Sequence, residues 1–289
     1  MKELTIISGK GGTGKTSIAG SFASLAGNAV ITDCDVDAAN LSLLLNPQTK
    51  VKHPFKASRK AYIHSENCSG CGLCFELCRF DAITEDFQVD TLSCEGCGVC
   101  YHACPEETIS FNEVVSGEWF FSGTDYGPLF HARLGVAEEN SGKLVTLLRQ
   151  KARETATDTG SDTIINDGPP GTGCPVIASL GRASSALVVT EPTLSGLHDL
   201  ERVLEVCRHF EVPAQVCINR FDLDEENTLK IERFCRENSI PLAGKIPFDR
   251  IFSEAVVQGI PAVEKSNGTV RDSIVNTWER VCDSLSKIC

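Results

Sequence analysis

The sequence predicts an α/β fold in which a mostly parallel sheet, flanked by helices, is interrupted by a small inserted α+β domain. Short apolar, β-branched segments alternate with helical segments, as the buried strands of a parallel sheet do. A glycine-rich loop separates the first of these strands from the first helix. The middle of the chain breaks the alternation with two dense runs of cysteine. Such a break indicates a separate domain within the larger fold.

The expected elements lie on both sides of the cysteine-rich segment. The strands are Leu4–Ser8, Ala29–Thr32, Thr163–Asn166, Ala186–Val189 and Ala214–Ile218. The helices are Lys15–Ala26, Lys143–Arg153, Leu197–Phe210 and Asn227–Asn238. The larger domain is therefore expected over residues 1–57 and 113–289, and the insert over 58–112. Ser116-Gly117 and Gly127-Pro128 predict hairpin turns at the edge of the sheet.

Composition and charge limit the classes of partner. No segment approaches the roughly 20 apolar residues that cross a bilayer, and the N-terminus lacks a signal-peptide pattern, so we expect a cytoplasmic location. The net charge of −12 argues against nucleic acid, which needs a basic face. Residues 58–112 carry nine acidic and three basic side chains, which favours a basic protein partner. A helical face from Val270 to Ile288 has mixed polar flanks, typical of packing rather than of membrane binding.

Eight of the 15 cysteines fall into two runs with the spacing C-x2-C-x2-C-x3-C. The second run repeats the first at a displacement of 26 residues, and Pro105 follows it. In a reducing compartment this pattern favours a metal site over disulfides. Zinc and plain thiols are the alternatives, but zinc usually takes its ligands as two separated pairs. The repeat resembles the two arms of a small bacterial ferredoxin with two [4Fe–4S] clusters.

The ferredoxin resemblance implies a ligand set, because the fourth cysteine of each run serves the other cluster in two-cluster ferredoxins. One cluster would be bound by Cys68, Cys71, Cys74 and Cys104. The other would be bound by Cys94, Cys97, Cys100 and Cys78. Arg79 stands where many ferredoxins carry proline. This departure leaves the ligands unchanged and bears on the exposure of the nearby cluster.

The segment Gly9–Thr16 satisfies the phosphate-loop pattern G-x4-G-K-[ST] and lies between a predicted strand and a predicted helix. Backbone N–H groups of such a loop close on phosphate oxygens, and the helix N-terminus adds positive potential. Lys15 is expected on the β- and γ-phosphates, and Thr16 on Mg²⁺. The nucleotide-binding residues expected here are Gly11, Gly12, Thr13, Gly14, Lys15, Thr16 and Ser17.

Lys10 makes the loop resemble a narrower group of proteins. The order K-G-G-x-G-K-[ST] is similar to the deviant loop of the MinD/ParA/Mrp ATPases and the related nitrogenase iron protein. In that family the extra lysine reaches the nucleotide of the opposite subunit. The resemblance therefore implies a catalytic role for Lys10. It also implies ATP at the interface of a homodimer, or of a dimer with a close paralogue.

Three carboxylates, Asp33, Asp35 and Asp37, end or follow the second predicted strand, at the edge where ligands of open α/β sheets bind. The family resemblance implies that Asp35 positions the attacking water and that Asp33 lies nearer the Mg²⁺ shell. Asp37 is an alternative to Asp35, and all three could be merely solvated acids. The catalytic residues expected are thus Lys10, Lys15 and Asp35.

A second switch is expected after the strand that begins at Thr163. Residues 167–173 read D-G-P-P-G-T-G and look like the second switch of the Mrp branch. The resemblance implies that Asp167 holds Mg²⁺ through water and that Gly171 offers its N–H to the γ-phosphate.

Two later strands are followed by residues that resemble the family's adenine-reading positions. They are Asn219, Arg220, Pro247 and Asp249. Cys34 and Cys174 adjoin the two switches. A free cysteine is commonly a small buried residue, and we prefer this interpretation to a ligand or sensor across a dimer interface.

These features together predict an ATPase whose nucleotide state, ATP or ADP, gates electron transfer through two clusters to a partner metalloprotein. Cluster potentials respond to charge and exposure, so a nucleotide-driven rearrangement could shift them. The alternative is a factor that assembles a metal cofactor and delivers it to an apo-protein, as Mrp-like relatives do. A spatial organiser like ParA would need a nucleic-acid or membrane surface, which the acidic composition does not supply.

Overall fold

The fold is that of a computed structural model, which describes residues 1–135 and 141–287 except for the side chain of Lys50. The strands are β1 (Lys2–Ser8), β2 (Ala29–Asp33), β3 (Gln48–Ile63), β4 (Ile109–Thr124), β5 (Gly127–Leu134), β6 (Thr163–Pro170), β7 (Ser185–Thr190), β8 (Ala214–Asn219) and β9 (Leu242–Ile246). The helices are α1 (Lys15–Ala26), α2 (Ser42–Leu45), α3 (Leu73–Glu76), α4 (Val99–Ala103), α5 (Ser141–Thr159), α6 (Cys174–Leu180), α7 (Leu194–His209), α8 (Glu225–Glu237), α9 (Ile251–Gln258), α10 (Ala262–Lys265) and α11 (Thr269–Lys287). Short 3₁₀ turns lie at Ser65–Asn67 and Phe221–Leu223.

The described strands form one sheet in the order β3-β4-β5-β2-β6-β1-β7-β8-β9. From β5 to β9 along this order, every neighbouring pair is parallel. Parallel neighbours need long crossovers, and helices supply them here. The predicted α/β fold, with a mostly parallel sheet flanked by helices, is confirmed.

Alternate residues of the central strands face opposite sides of the sheet and build two cores. Leu4 and Ile6 of β1 lie in one core with Phe22 of α1. The Phe22 ring centroid is 4.9 Å from that of Trp278 in α11. Ile7 lies in the other core, which is covered by α6, α7 and α8. Because both faces are covered, consecutive apolar residues such as Ile6 and Ile7 are both buried, a pattern that is visible in the sequence.

A buried ionic network crosses the amino end of the sheet. Glu3 is 3% exposed, and its two carboxylate oxygens lie 2.7 Å from Arg149 Nε and 2.7 Å from Arg153 NH2. Asn166 Nδ2 donates to the same carboxylate at 2.8 Å. Removing one partner of such a network leaves an uncompensated buried charge and costs about 3–5 kcal/mol. We therefore interpret these residues as structural.

The chain divides into two compact units. The first comprises Met1–His53, Trp119–Arg133 and the chain from Ser141. The second comprises Pro54–Glu118 and a segment that starts at Leu134, and so extends beyond 58–112 at both ends. Within the second unit, α3 packs against α4, and a small apolar core surrounds the cysteines.

The predicted turn at Ser116-Gly117 is wrong, because β4 runs through these residues without interruption. The Ser116 hydroxyl accepts a hydrogen bond from the Ser58 N–H at 3.0 Å. The Ser116 carbonyl accepts another from the Gly135 N–H at 2.8 Å. Hydrogen bonds from neighbouring segments on both sides thus hold Ser116 within the strand, although serine is a residue type that usually marks a turn. The second turn is at Asp125-Tyr126, and Gly127-Pro128 instead opens β5.

The helix α11 packs through the face that its sequence pattern indicates. Val270, Ile274, Val281 and Leu285 are buried. Ile288, which continues the same pattern, lies outside the described residues. None of the helices described combines the length and the apolar character that crossing a membrane requires.

Candidate functional site

The glycine-rich loop connects β1 to α1 and borders a cavity of about 740 Å³, a volume typical of small-molecule sites. Gly12 and Gly14 have φ of +80° and +92°, a conformation that side chains rarely adopt. Lys15 is only 5% exposed. The expected site residues that line this cavity are Gly11, Gly12, Gly14, Lys15, Thr16, Ser17, Asp35, Asp37 and Arg220.

Asn219 lies behind the loop and is not among the residues that line the cavity. Its Nδ2 donates a hydrogen bond to the Thr13 carbonyl oxygen at 2.8 Å. A Cβ atom on Gly14 would collide with the same Nδ2. Asn219 therefore supports the shape of the loop, whereas its neighbour Arg220 faces the cavity.

Pro247 and Asp249 follow β9, and neither lines the cavity. Asp249 Oδ1 accepts a hydrogen bond from the Ile251 N–H at 2.8 Å, at the start of α9. The apolar part of the wall includes Leu43 and Val256 instead. Neither residue belongs to a recognisable motif, so the sequence carried no signal for them.

Two carboxylates lie side by side on neighbouring strands, because Asp33, the last residue of β2, is the register partner of Asp167 within β6. Asp33 accepts hydrogen bonds from the N–H groups of Asp35 at 3.2 Å and Leu41 at 3.0 Å. Among the residues that the structure describes, neither buried carboxylate oxygen of Asp167 has a hydrogen-bond partner of good geometry, although the nearby Thr16 hydroxyl lowers the pKa of this carboxyl. A buried carboxylate in this state needs a proton or a cation.

The pKa values of these acids reflect the same burial. Burial raises the pKa of Asp33 well above its ordinary value, and the neighbouring Asp167 charge adds to the effect. Burial raises the pKa of Asp167 to about 6, while the Lys15 charge opposes the shift. Burial also raises the pKa of Asp35, again against the effect of Lys15. A cation bound at this edge of the sheet would therefore stabilise the ionised form of these carboxyl groups.

Lys10 is not among the residues that line the cavity, and side chains of its own chain hold its ammonium group. Its Nζ lies 2.7 Å from Glu191 Oε1 and 3.3 Å from Ser195 Oγ. The other oxygen of Glu191 lies 3.0 Å from Arg220 NH1. Glu191 was not among the expected site residues, although it directly follows β7. Its place at the carboxyl end of a parallel strand is a signal that could have identified it.

Gly171 also differs from the arrangement that the family resemblance implies. Its φ is +91°, and its N–H donates to the Ser8 carbonyl oxygen at 2.8 Å. In this conformation the N–H is already engaged with the last residue of β1. It can reach a phosphate only after this hydrogen bond opens.

The second unit gathers the eight clustered cysteines into two sets of four. One cavity, which we call the first cavity, is lined by Cys68, Cys71, Cys74 and Cys104. The other, the second cavity, is lined by Cys94, Cys97, Cys100 and Cys78. Each cavity thus takes three cysteines from one run and the fourth from the other.

The walls between these thiols are largely apolar, and they include Ile63 in the first cavity and Ile83 in the second. Burial raises the pKa of Cys74 and of Cys100, whereas the Thr108 hydroxyl lowers the pKa of Cys104. In the described part of the chain, no three His, Cys, Asp or Glu side chains are gathered tightly enough to hold a single metal ion. The thiolates of a four-iron cluster bind different irons at the corners of a cube, so they stand farther apart than the ligands of one ion.

The two cysteines beside the switches are in different surroundings. Cys34 is fully buried next to Thr32, and burial raises its pKa to about 12. It is the kind of inert buried thiol that we expected. Cys174 is the exposed first residue of α6, so the expectation that it is buried is wrong.

The fold and the site together define a P-loop nucleotide-binding protein: a mostly parallel sheet, a glycine-rich loop between its first strand and first helix, and paired carboxylates on β2 and β6. Residues 4–262 match the CobQ/CobB/MinD/ParA nucleotide binding domain. The chain belongs to this family, which confirms the predicted relationship to the MinD/ParA-type ATPases.

Relatives cover nearly the whole chain. The uncharacterized protein MJ0578 of Methanocaldococcus jannaschii is 33% identical over 282 residues, which are 96% of each chain. The structure of the septum site-determining protein MinD complexed with Mg-ADP from Pyrococcus horikoshii has a TM-score of 0.58 at 19% identity, over 100% of this chain and 98% of that one. Cyanothece McdA without nucleotide has a TM-score of 0.59 at 17% identity, over 97% and 99%. At these identities the two structures show a shared fold.

Proposed function

We propose that this protein binds and hydrolyses ATP and couples its nucleotide state to electron transfer through two [4Fe–4S] clusters. The observation that carries the proposal is the sorting of eight cysteines into two cavities of four, each drawing on both runs. Soft thiolates are the preferred ligands of iron–sulfur clusters. The same chain holds a phosphate loop and paired buried acids. A partner metalloprotein would exchange the electron.

The nucleotide half of the proposal assigns roles by position. The loop N–H groups from Gly11 to Ser17 would hold phosphate oxygens, with the Lys15 ammonium on the β- and γ-phosphates. Thr16, Asp33 and Asp167 would hold Mg²⁺, whose charge would satisfy the unpartnered Asp167 oxygens. Asp35, on the cavity wall, would orient the attacking water. Lys10 would leave Glu191 and reach the nucleotide of a second subunit.

The cluster half of the proposal rests on the donor set. Four cysteine thiolates per cavity, with apolar walls, fit a cluster that is shielded from water. Bound clusters would supply one-electron chemistry. The protein's own contribution is to hold the thiolates and to set the charge around each cluster.

The test uses the full chain, purified and reconstituted without oxygen. We expect about eight irons per chain and cluster potentials or EPR spectra that change among no nucleotide, ADP and a non-hydrolysable ATP analogue. Cys104→Ser should lower the iron content or alter one cluster spectrum, whereas Cys282→Ser, outside both cavities, should do neither. Zinc instead of iron, or no iron after reconstitution, would refute the cluster assignment.

A second candidate function is the assembly of a metal cofactor and its delivery to an apo-protein. The observation that favours it is the exposed thiol of Cys174 next to Pro175, which lines the nucleotide cavity. Such a thiol could bind a labile metal beside the nucleotide. Eight irons with no response to nucleotide, together with extra iron lost on Cys174→Ser, would favour this function over electron transfer.

A further inference from the structure

The two halves of the cysteine repeat place equivalent residues in the same backbone conformation. Asp81 and Glu107 are separated by the repeat displacement of 26 residues, and both have left-handed backbones, with φ of +50° and +52°. The residues that follow them, Ala82 and Thr108, each accept a backbone hydrogen bond through the carbonyl oxygen, at 2.8 Å and 2.9 Å. Ala82 and Thr108 therefore occupy equivalent places in the two halves.

A hydroxyl group distinguishes these two places. Thr108 is 7% exposed and lines the first cavity, and its Oγ1 lies 3.5 Å from Cys104 Sγ, within hydrogen-bond distance for sulfur. Ala82 is 2% exposed and lines the second cavity. Cys78 precedes Ala82 by the same interval at which Cys104 precedes Thr108, but alanine has no hydroxyl to offer it. Residue 108 thus supplies a side-chain donor to a cysteine of its cavity, and residue 82 does not.

The direction of this hydrogen bond follows from the chemistry of an iron ligand. A cysteine that binds iron does so as a thiolate, which has no proton, so the Thr108 hydroxyl must donate and the Cys104 sulfur must accept. Burial of Thr108 limits the competition from water for this donor. A cluster becomes more negative when it is reduced, and its ligand sulfurs then accept hydrogen bonds more strongly. The donor therefore stabilises the reduced form more than the oxidised form.

On the basis of the two clusters in the proposed function, we propose that the Thr108 hydroxyl raises the reduction potential of the cluster of the first cavity. Thr108 binds no iron; it acts through the Cys104 sulfur and is a positioning residue for a hydrogen-bond donor. Residue 82 lacks this donor, so a hydroxyl introduced there should raise the potential of the cluster of the second cavity in the same way.

The first test is a redox titration of the full chain, reconstituted without oxygen and followed by EPR. Thr108→Val removes the hydroxyl and keeps the shape of the side chain. We expect it to lower the midpoint potential of the cluster of the first cavity, changing the ratio of reduced to oxidised cluster at a fixed potential about tenfold, which is about 59 mV for one electron. The other midpoint should stay in place. Thr108→Ser keeps the hydroxyl and should remain close to the wild type.

The reciprocal variant is Ala82→Thr, which should raise the midpoint potential of the cluster of the second cavity and leave the other unchanged. Cys71→Ser and Cys97→Ser assign the two EPR signals, because each removes a cysteine that lines only one cavity. Ala82 is buried, so the added atoms need space. If Ala82→Thr does not bind both clusters, Thr108→Val alone decides.

The control is Thr91→Val, which removes a hydroxyl from an exposed residue of the same unit, outside both cavities. It should leave both midpoints in place. About eight irons per chain with unchanged midpoints in Thr108→Val would overturn the inference and leave the proposed function intact. Failure of the wild-type chain to bind iron would instead refute the proposed function.

Discussion

Glu191 binds Lys10 and Arg220 with its two carboxylate oxygens, so two cations share one counter-ion beside the nucleotide cavity. Glu191→Gln should release Lys10 for a second subunit. A partly exposed ion pair is worth about 1 kcal/mol, and a symmetric dimer releases two such lysines, so the dissociation constant of an ATP-induced dimer should fall by up to about thirtyfold. Sedimentation with a non-hydrolysable ATP analogue and Mg²⁺ measures it. Glu205→Gln, exposed on α7, is the matched control, and a weaker dimer in Glu191→Gln would contradict this role.

Asp167 gives a pH-dependent prediction. Because burial raises its pKa to about 6 from an ordinary 3.8, folding favours the protonated carboxyl. The contribution of Asp167 to the free energy of unfolding is therefore complete below about pH 4 and is lost as the pH rises through about 6. Without metal or nucleotide, Asp167→Asn should therefore melt at a higher temperature than the wild type at pH 8, with a difference that shrinks toward pH 4. Asp37→Asn, at an exposed carboxylate, should show no such trend, and a pH-independent difference for Asp167→Asn would disprove the explanation.

At the scale of elements, the phosphate loop offers a matched pair of glycines. Gly14 combines a φ of +92° with a Cβ position that Asn219 already occupies. Gly11 has nothing within 4 Å of its Cβ position. Gly14→Ala should cost about 1–3 kcal/mol from backbone strain alone and abolish nucleotide binding, because Asn219 must move. Gly11→Ala should melt close to the wild type. Equal melting temperatures for the two variants would show that Asn219 does not constrain the loop.

The elements also show why sequence predicted some parts of this molecule and not others. Strands such as β7 carry a run of consecutive apolar residues, because both faces of the sheet are covered, and this pattern is local. The continuous path of β4 through Ser116-Gly117 depends on partners far away in the chain, which override the turn preference of those residues. The same reasoning applies to the site. The loop glycines are recognisable in the sequence itself. The contacts of Asn219 with Thr13 and of Glu191 with Lys10 arise only when β1, β7 and β8 lie side by side.

At the scale of the whole molecule, the net charge of −12 should govern encounters with small redox reagents. A negative field raises the local concentration of cations and can change association rates by about 10–10³-fold. With the two clusters of the proposed function bound and reduced, the protein should therefore react faster with a cationic oxidant than with an anionic one of similar potential. Added salt should slow the first reaction and speed the second, as stopped-flow absorbance would record. A neutral oxidant is the control. The same dependence of the rate on salt for all three oxidants would exclude electrostatic steering.

If Gly171 offers its N–H to the γ-phosphate, as the family resemblance implies, its hydrogen bond to the Ser8 carbonyl would make the loop respond differently to ATP and to ADP. A single N–H serves one acceptor well, so a terminal phosphate must compete with Ser8, whereas a diphosphate leaves the bond undisturbed. The exchange replaces a neutral bond of about 1 kcal/mol with a charge-assisted one of about 1.5–3 kcal/mol. By itself it favours the triphosphate by no more than about thirtyfold. A measured affinity preference for the triphosphate over the diphosphate far above this ratio would mean that a second subunit supplies the remaining free energy. The monomer alone would then distinguish the two nucleotides only weakly.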